Sequence, residues 1–349
     1  MNPLKYISQS RAQLMALAIL GVLFVHSGIK IPNRFVNFMV QMGYGGVDLF
    51  FFLSGFGLFF SCRKFDGCFT FWKKRIKRIM PAYLVCILIT QLVLTSKINW
   101  THLWQDSLFI GYWIKPLKWH YFAWFVSGIM GLYLIFPFYY KVFRRYPTCS
   151  TILASLLGLL CAGIYSYYFL KLHPSGCNTF IHLFARLPLF FLGVLFAYLC
   201  ENNYVVNKRR TIVILLLPFI GFTILRIVSS IGLTYNQMRN SGILFYPFVI
   251  IIPGLAITFG YLFSRFPSMI RKIFGWIGKS TLEAYLLIGV VFHYRMKFIH
   301  FVGGNNIYGC LLMILICICF ACLIHFTIFM IENNTLKLIQ NINSKIKKV

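Results

Sequence analysis

Residues 15–29 read MALAILGVLFVHSGI, and residues 45–55 read GGVDLFFFLSG. Each stretch is apolar enough to help cross a membrane, yet each contains one ionisable side chain, His26 or Asp48. An ionised Asp at the centre of a membrane helix costs about 2.5–3.5 kcal/mol, so such groups usually mark a functional site. These two residues therefore direct the search for a site.

The composition indicates an integral membrane protein. The 349 residues are 59% hydrophobic and only 11% charged, and the mean hydropathy is +0.77. Soluble domains carry about 25% charged residues, and a chain with so few polar groups could not cover a soluble surface.

Runs of about 20 apolar residues cross the hydrocarbon core of a bilayer. The hydropathy pattern predicts an all-α polytopic bundle of about ten transmembrane helices, which we interpret as a single domain over residues 1–349. The predicted spans are residues 12–30, 43–62, 79–96, 119–140, 150–170, 179–200, 211–230, 242–264, 274–294 and 305–330.

The net charge of +28 follows the positive-inside pattern of membrane proteins. With the N-terminus in the cytoplasm, 23 of the 34 Lys and Arg residues fall in inner segments and nine in outer loops. This alternation accounts for most of the charge, so nucleic acid is not a predicted partner.

Five positions in or beside the spans carry candidate chemistry. His26 is either an interior histidine or a catalytic imidazole, which titrates near neutral pH. Asp48 either acts in function or bonds a neighbouring helix or helix cap. Arg75 and Arg78 share a helix face and either clamp phosphates or anchor the chain at anionic lipid. Arg186 keeps its charge and requires a carboxylate, such as that of Asp48 or Glu283, backbone carbonyls, water or an anionic ligand.

The cysteines suggest no cofactor. Cys317, Cys319 and Cys322 fall inside the tenth predicted span, where a lipid-embedded helix offers few thiolates to a metal. We interpret them as small packing residues and predict no metal site. Cys177 has no clear disulfide partner.

Taken in order, three segments resemble the membrane acyltransferase-3 family. They are LMALAILGVLFVHSG at 14–28, GVDLFFFLSGFGLFFS at 46–61 and KRIKRIMPAYL at 74–84, which contains the family's R-x-x-R-I-x-P pattern. Weaker matches are WFVSGIMGLYLIFPFYY at 124–140, RLPLFFLGVLFAY at 186–198 and IGKSTLEAYLL at 277–287. The likeness covers residues 11–290.

The chain departs from the family pattern at two places. Many members carry a basic residue eleven positions before the histidine, where this chain has Met15, with Arg11 one helical turn away. Many members also carry a histidine soon after the late YL, whereas the next one here is His293.

The resemblance implies an O-acyltransferase of the bacterial cytoplasmic (inner) membrane. Its donor would be cytoplasmic acyl-CoA, most often acetyl-CoA, and its acceptor a sugar hydroxyl of a cell-surface or lipid-linked glycan. His26 maps to the catalytic histidine, as general base or covalent acyl carrier, and Asp48 would orient it or pair with an arginine. Lys74, Arg75 and Arg78 map to the CoA site, whereas Arg186, Glu283 and Tyr285 are polar candidates for substrate contact or structural pairing.

A non-enzymatic glycan exporter or flippase is the alternative function. It would use the same intramembrane polar residues to line a path. An ion or small-molecule transporter is disfavoured because the two halves lack matching Gly/Pro-broken spans.

Overall fold

A computed structural model describes residues 3–63, 67–95, 97–114, 124–172, 180–204 and 206–346. In these ranges the chain forms eighteen α-helices and one 3-10 helix. In chain order they are α1 (Lys5–Gln9), α2 (Arg11–Ser27), α3 (Arg34–Gln41), the 3-10 helix (Met42–Tyr44), α4 (Gly45–Ser61), α5 (Cys68–Thr95), α6 (Trp100–Ser107), α7 (Gly111–Ile114), α8 (Trp124–Arg145), α9 (Pro147–Leu172), α10 (Phe180–Phe184), α11 (Leu187–Glu201), α12 (Lys208–Val228), α13 (Tyr235–Asn240), α14 (Phe248–Arg265), α15 (Ser268–Lys279), α16 (Thr281–His293), α17 (Arg295–Phe301) and α18 (Asn306–Ile346).

The predicted helical membrane bundle is confirmed. In the described part of the chain, eight helical segments are long and apolar enough to cross a membrane, and α2 and α16 are two shorter apolar helices. The predicted ninth span, 274–294, is divided at Ser280 into the end of α15 and the whole of α16. No residue of α15 is buried, and it carries Arg271, Lys272 and Lys279 among its apolar residues. Apolar composition alone does not separate such an amphipathic helix from the span that follows it.

Burial divides the helices into central and peripheral ones. The most apolar part of the segment Arg34–Ser61, which includes α4, is 72% buried, whereas the corresponding part of α9 is 22% buried. The outer face of α9 exposes a row of large aliphatic side chains, namely Ile152, Leu153, Leu156, Leu157 and Leu160. A continuous exposed apolar surface of this kind suits contact with lipid tails.

Glycines allow the central helices α4 and α11 to approach closely. A Cβ atom at Gly55 of α4 would collide with the carbonyl oxygen of Phe190, and one at Gly193 of α11 with that of Phe52. Small residues at a membrane helix interface permit this backbone contact, and van der Waals packing then stabilises the pair. Because the helices touch here, Asp48 of α4 reaches Arg186 at the start of α11.

Parts of several predicted features lie outside the described residues. These are residues 115–118 of the predicted outer loop 97–118, residues 119–123 and 179 at the starts of two predicted spans, residue 96 at the end of another, and Cys177.

Candidate functional site

A basic cavity of about 390 Å³ lies between α2, α4, α5, α8, α15, α16 and α18. Four cations line it, namely Arg11, Arg75, Arg78 and Lys279. The ion pair between Glu283 and His325 completes the charged lining. All six of these residues lie near the helix ends that are predicted to face the cytoplasm. The excess of positive charge makes this cavity a candidate site for a polyanion.

Arg11 is fixed at the wall of the basic cavity. Its Nε and Nη2 atoms donate hydrogen bonds to the Leu53 carbonyl oxygen at 3.2 and 3.1 Å. Gly57 leaves the space for the guanidinium, because a Cβ there would collide with it. Met15, which stands where many family members have a basic residue, also lines the cavity. Arg11, one helical turn before Met15, therefore brings a positive charge to this cavity.

The predicted CoA-binding residues divide into two groups. Arg75 and Arg78 line the basic cavity, and the Arg75 guanidinium lies 5.3 Å from the ring centroid of Phe71 and 5.9 Å from that of Tyr133. Contact with aromatic rings restrains an arginine while leaving its N–H groups available. Lys74 is exposed and is not part of the lining, so its role in CoA binding stays a prediction.

Glu283 of α16 pairs with His325 of α18 in the basic cavity. The Glu283 Oε1 atom lies 2.8 Å from the His325 Nδ1 atom, and the Oε2 atom has no hydrogen-bond partner among the described residues. The sequence analysis did not single out His325. Its position inside the predicted span 305–330 was a usable signal, since intramembrane ionisable residues are rare.

His26 lies at the opposite end of α2 and lines a second cavity of about 80 Å³. His26 follows Arg11 by fifteen positions, which is about 22 Å along a helix axis. The His26 side chain is exposed, and it lines this cavity. Aromatic residues form much of the remaining wall, including Tyr44, Trp124 and Tyr235.

Asp48 and Arg186 form a buried ion pair beside the His26 cavity. Asp48 Oδ2 lies 3.1 Å from Arg186 Nε, and the two side chains are 0% and 2% exposed. Arg186 Nη1 also donates to the His182 carbonyl oxygen at 2.9 Å, and its guanidinium lies 4.1 Å from the Phe245 ring centroid. Of the two acidic partners considered for Arg186, the structure selects Asp48. The orientation of His26 by Asp48 stays a prediction.

Two further residues of this cavity were missed. His182 precedes Arg186 by four residues, a spacing that puts both on one helical face and was readable in the sequence. Arg239 comes from α13, in a segment interpreted only as an outer loop. Nothing in its local sequence connects it with His26, and only the tertiary fold brings the two to one cavity.

Tyr285 is the single residue, within the described ranges, that lines both cavities. Its side chain is 3% exposed, and its ring centroid lies 5.3 Å from that of Phe125, which also lines the basic cavity. These two rings stand at the boundary between the cavities. His293 is exposed, packs on Tyr294 and lines neither cavity.

The described residues contain no group of three His, Cys, Asp or Glu side chains that could hold a metal ion. Cys317 is buried with its Sγ atom 3.7 Å from the Ala284 carbonyl oxygen, Cys322 lies 3.2 Å from Ser280 Oγ, and Cys319 is exposed.

The fold defines a multi-pass helical membrane protein, and its two polar cavities are candidate sites. The family model described as "Acyltransferase domain" matches residues 14–326. The chain therefore belongs to the acyltransferase-3 family, a class of membrane acyltransferases, and the family predicted from the sequence is confirmed.

Two curated relatives carry acyltransferase names. O-acetyltransferase OatA of Staphylococcus aureus is 24% identical over 310 residues, which are 78% of this chain and 48% of the relative. Acyltransferase MdmB of Streptomyces mycarofaciens is 33% identical over 121 residues, which are 31% of each. The chain thus aligns with half or less of the length of these relatives. No solved structure matches it.

Proposed function

We propose that this chain is a membrane O-acyltransferase that moves an acyl group, most simply acetyl, from acyl-CoA to a sugar hydroxyl of a cell-envelope glycan. The observation that carries this proposal is the pair of cavities that meet at Tyr285, one basic and one lined by His26. The relative named an O-acetyltransferase supports the choice of an oxygen acceptor.

The donor fits the basic cavity by charge and shape. CoA carries several phosphate charges, which cannot enter hydrocarbon, and arginine binds phosphate through paired N–H groups. Arg75 and Arg78 would hold these phosphates on the face predicted to be cytoplasmic. The narrow pantetheine arm would extend through the cavity toward Tyr285, so that the thioester lies at the deep end.

The acceptor would reach His26 from the other cavity. A neutral imidazole accepts the proton of the sugar hydroxyl while the hydroxyl oxygen attacks the thioester carbonyl carbon. The carbon–sulfur bond then breaks, and the CoA sulfur receives from His26 the proton that the sugar hydroxyl gave up. General base catalysis of this kind contributes about 10²–10⁴-fold.

A covalent route through the same residue has the same requirements. The imidazole nitrogen would first attack the thioester carbonyl carbon, and the carbon–sulfur bond would break to release the CoA thiolate. The sugar hydroxyl oxygen would then attack the acyl carbon, the acyl–nitrogen bond to His26 would break, and the hydroxyl proton would pass to the CoA thiolate. In both routes the thioester must pass Tyr285, because the cavities are separate. Movement of this ring is therefore part of the proposal.

His26 provides the test of the proposed function. The purified protein in nanodiscs receives radiolabelled acetyl-CoA and envelope glycan from a deletion strain, and acetyl transferred to the glycan is measured. H26Q is expected to reduce transfer by at least about 10²-fold, because the proton acceptor is lost. H300Q, which changes an exposed histidine on the same predicted face, should retain transfer.

Two results would contradict the proposal. One is normal transfer by H26Q at wild-type expression. The other is movement of lipid-linked glycan across vesicles without any release of CoA by the wild-type protein, which would support the exporter instead.

A further inference from the structure

Arg239 brings a second arginine to the cavity that His26 lines. It lies on α13, and its guanidinium stands 5.9 Å from the ring centroid of Tyr235, which lines the same cavity. The side chain is half-buried, and its Nε atom is buried without a hydrogen-bond partner among the described residues. A buried N–H group that lacks a partner in the protein is a candidate for binding a ligand.

The charges of the two arginines in this cavity are balanced differently. Arg186 has its counter-ion, since Asp48 lies 3.1 Å away. No acidic side chain in the described ranges lies within ion-pair distance of Arg239; Glu201 and Glu283 pair elsewhere. Arginine does not lose its proton in proteins, so the His26 cavity keeps one positive charge that has no counter-ion among the described residues.

Arg226 is an arginine outside the cavity, and its surroundings can be compared with those of Arg239. It belongs to the last turn of α12, is exposed, and stacks on Phe38 with the guanidinium 5.8 Å from the ring centroid. It does not line the His26 cavity. That setting is typical of an arginine that faces lipid headgroups. Arg239 differs from it by being half-buried among the aromatic residues beside His26.

From this arrangement we infer that the acceptor is an acidic glycan, whose carboxylate or phosphate binds Arg239 while the neighbouring hydroxyl faces His26. The inference rests on the proposed function and specifies the class of acceptor for the proposed acyl transfer. The aromatic walls suit it, because sugar rings pack on aromatic faces through their apolar C–H groups while the anion pairs with the guanidinium. At about 80 Å³ the cavity has space for the reacting end of a glycan only.

Binding is measured with sugars that differ in one group. Cellobiose, cellobiouronic acid and cellobiose 6-phosphate are titrated into the purified protein in nanodiscs of uncharged lipid, with Kd from saturation-transfer NMR. We expect at least one anionic sugar to bind about ten-fold more tightly than cellobiose, because charge-assisted hydrogen bonds are the stronger ones. The two anionic sugars distinguish a carboxylate from a phosphate.

Variants assign this preference to Arg239. R239Q is expected to remove the preference, R239K to retain part of it, and the matched control R226Q to leave it unchanged. Because an ion pair is screened by salt, the preference of the wild-type protein should also fall as NaCl rises, which tests the inference even if R239Q does not fold.

Several outcomes would overturn the inference. They are equal affinity of the wild-type protein for all three sugars, an equal loss of affinity for all three in R239Q, and an R239Q effect that appears only with anionic lipid.

Acetyl transfer is assayed in parallel. Transfer to neutral glycan without an anion preference overturns this inference alone, whereas an anion preference without any transfer contradicts the acyltransferase proposal and leaves an acidic-sugar site.

Discussion

Arg75 and Arg78 lie three residues apart on α5, and both guanidinium groups reach the basic cavity. Three-residue spacing puts two side chains on one helical face, so their proximity follows from the sequence. Whether such a pair meets lipid or a cavity does not, because that depends on which helices pack against the face. Here α8 contributes Tyr133, whose ring lies beside Arg75.

Removing Arg75 should weaken donor binding through the phosphates. Acetyl-CoA and acetyl-pantetheine share the thioester, but acetyl-pantetheine lacks the phosphates. We expect R75Q to raise the KM for acetyl-CoA about ten-fold while changing the KM for acetyl-pantetheine little, since one charge-assisted contact of about 1.5–3 kcal/mol is lost. Steady-state kinetics with both donors measures the difference.

Lys73 provides the matched control for Arg75. It is an exposed cation two residues earlier on the same helix and is not part of the cavity lining. K73Q should leave both KM values near those of the wild-type protein. An equal rise for acetyl-CoA in K73Q and R75Q would indicate a general surface-charge effect and contradict a phosphate site at Arg75.

Helices α4 and α11 run side by side in the same direction and are joined by ion pairs at both ends. The Asp48–Arg186 pair at their starts is buried. At their other ends, Glu201 of α11 lies 2.6 Å from Arg63, which follows α4 and is 57% exposed. The parallel direction agrees with the predicted order of spans, since the second and sixth cross the membrane in the same sense.

Breaking the buried pair should destabilise the protein far more than breaking the exposed one. D48N leaves the Arg186 charge buried without a counter-ion, which typically costs about 3–5 kcal/mol. E201Q removes the carboxylate charge that pairs with two exposed arginines, Arg63 and Arg144. Exposed ion pairs contribute about 0–1 kcal/mol to stability. The melting temperature in nanodiscs should therefore fall clearly in D48N and little in E201Q.

Activity measurements on the same variants separate the two roles considered for Asp48. A D48N protein with the wild-type melting temperature but without acetyl transfer would contradict the structural role and favour orientation of His26. A lower melting temperature, with transfer reduced only in proportion to the folded fraction, would support the structural role.

The whole bundle keeps two polar cavities at opposite ends of α2 and separates them at Tyr285. A membrane-embedded transfer site has to exclude water and small ions while a thioester passes between its two sides. The ring of Tyr285 at the boundary, packed against Phe125, would meet this requirement by turning aside when the thioester passes.

Truncating Tyr285 should connect the cavities and let water reach the thioester. Y285A is expected to raise the ratio of acetyl-CoA hydrolysis to acetyl transfer several-fold, whereas Y285F, which keeps the ring, should stay near the wild-type ratio. Free acetate and acetylated glycan are quantified in one reaction. An unchanged ratio in Y285A, with normal folding, would show that this ring does not separate the donor from water.

Periodicity, hydropathy and charge order were enough to predict a helical membrane bundle, with most helix ends placed within a few residues. The family was predicted separately, from the resemblance of three ordered motifs around His26, Asp48 and Arg75. These properties depend on residues close together in the chain. The exact ends of the helices followed less well: the division at Ser280 reflects how α15 packs against α2, where Gly278 contacts the Ala12 backbone.

His26, Asp48, Arg186 and Glu283 were readable as candidate site residues, because a charge or imidazole in an apolar run is costly wherever the helix finally lies. Their partners were not. Asp48 meets Arg186 across 138 positions of sequence, and Glu283 meets His325 across 42. Arg239 reaches the His26 cavity from the short helix α13. The amino-acid sequence by itself determined which groups must be satisfied inside the membrane, and only the packing of the helices decided which partner satisfies each, because those contacts depend on distances in space and not along the chain.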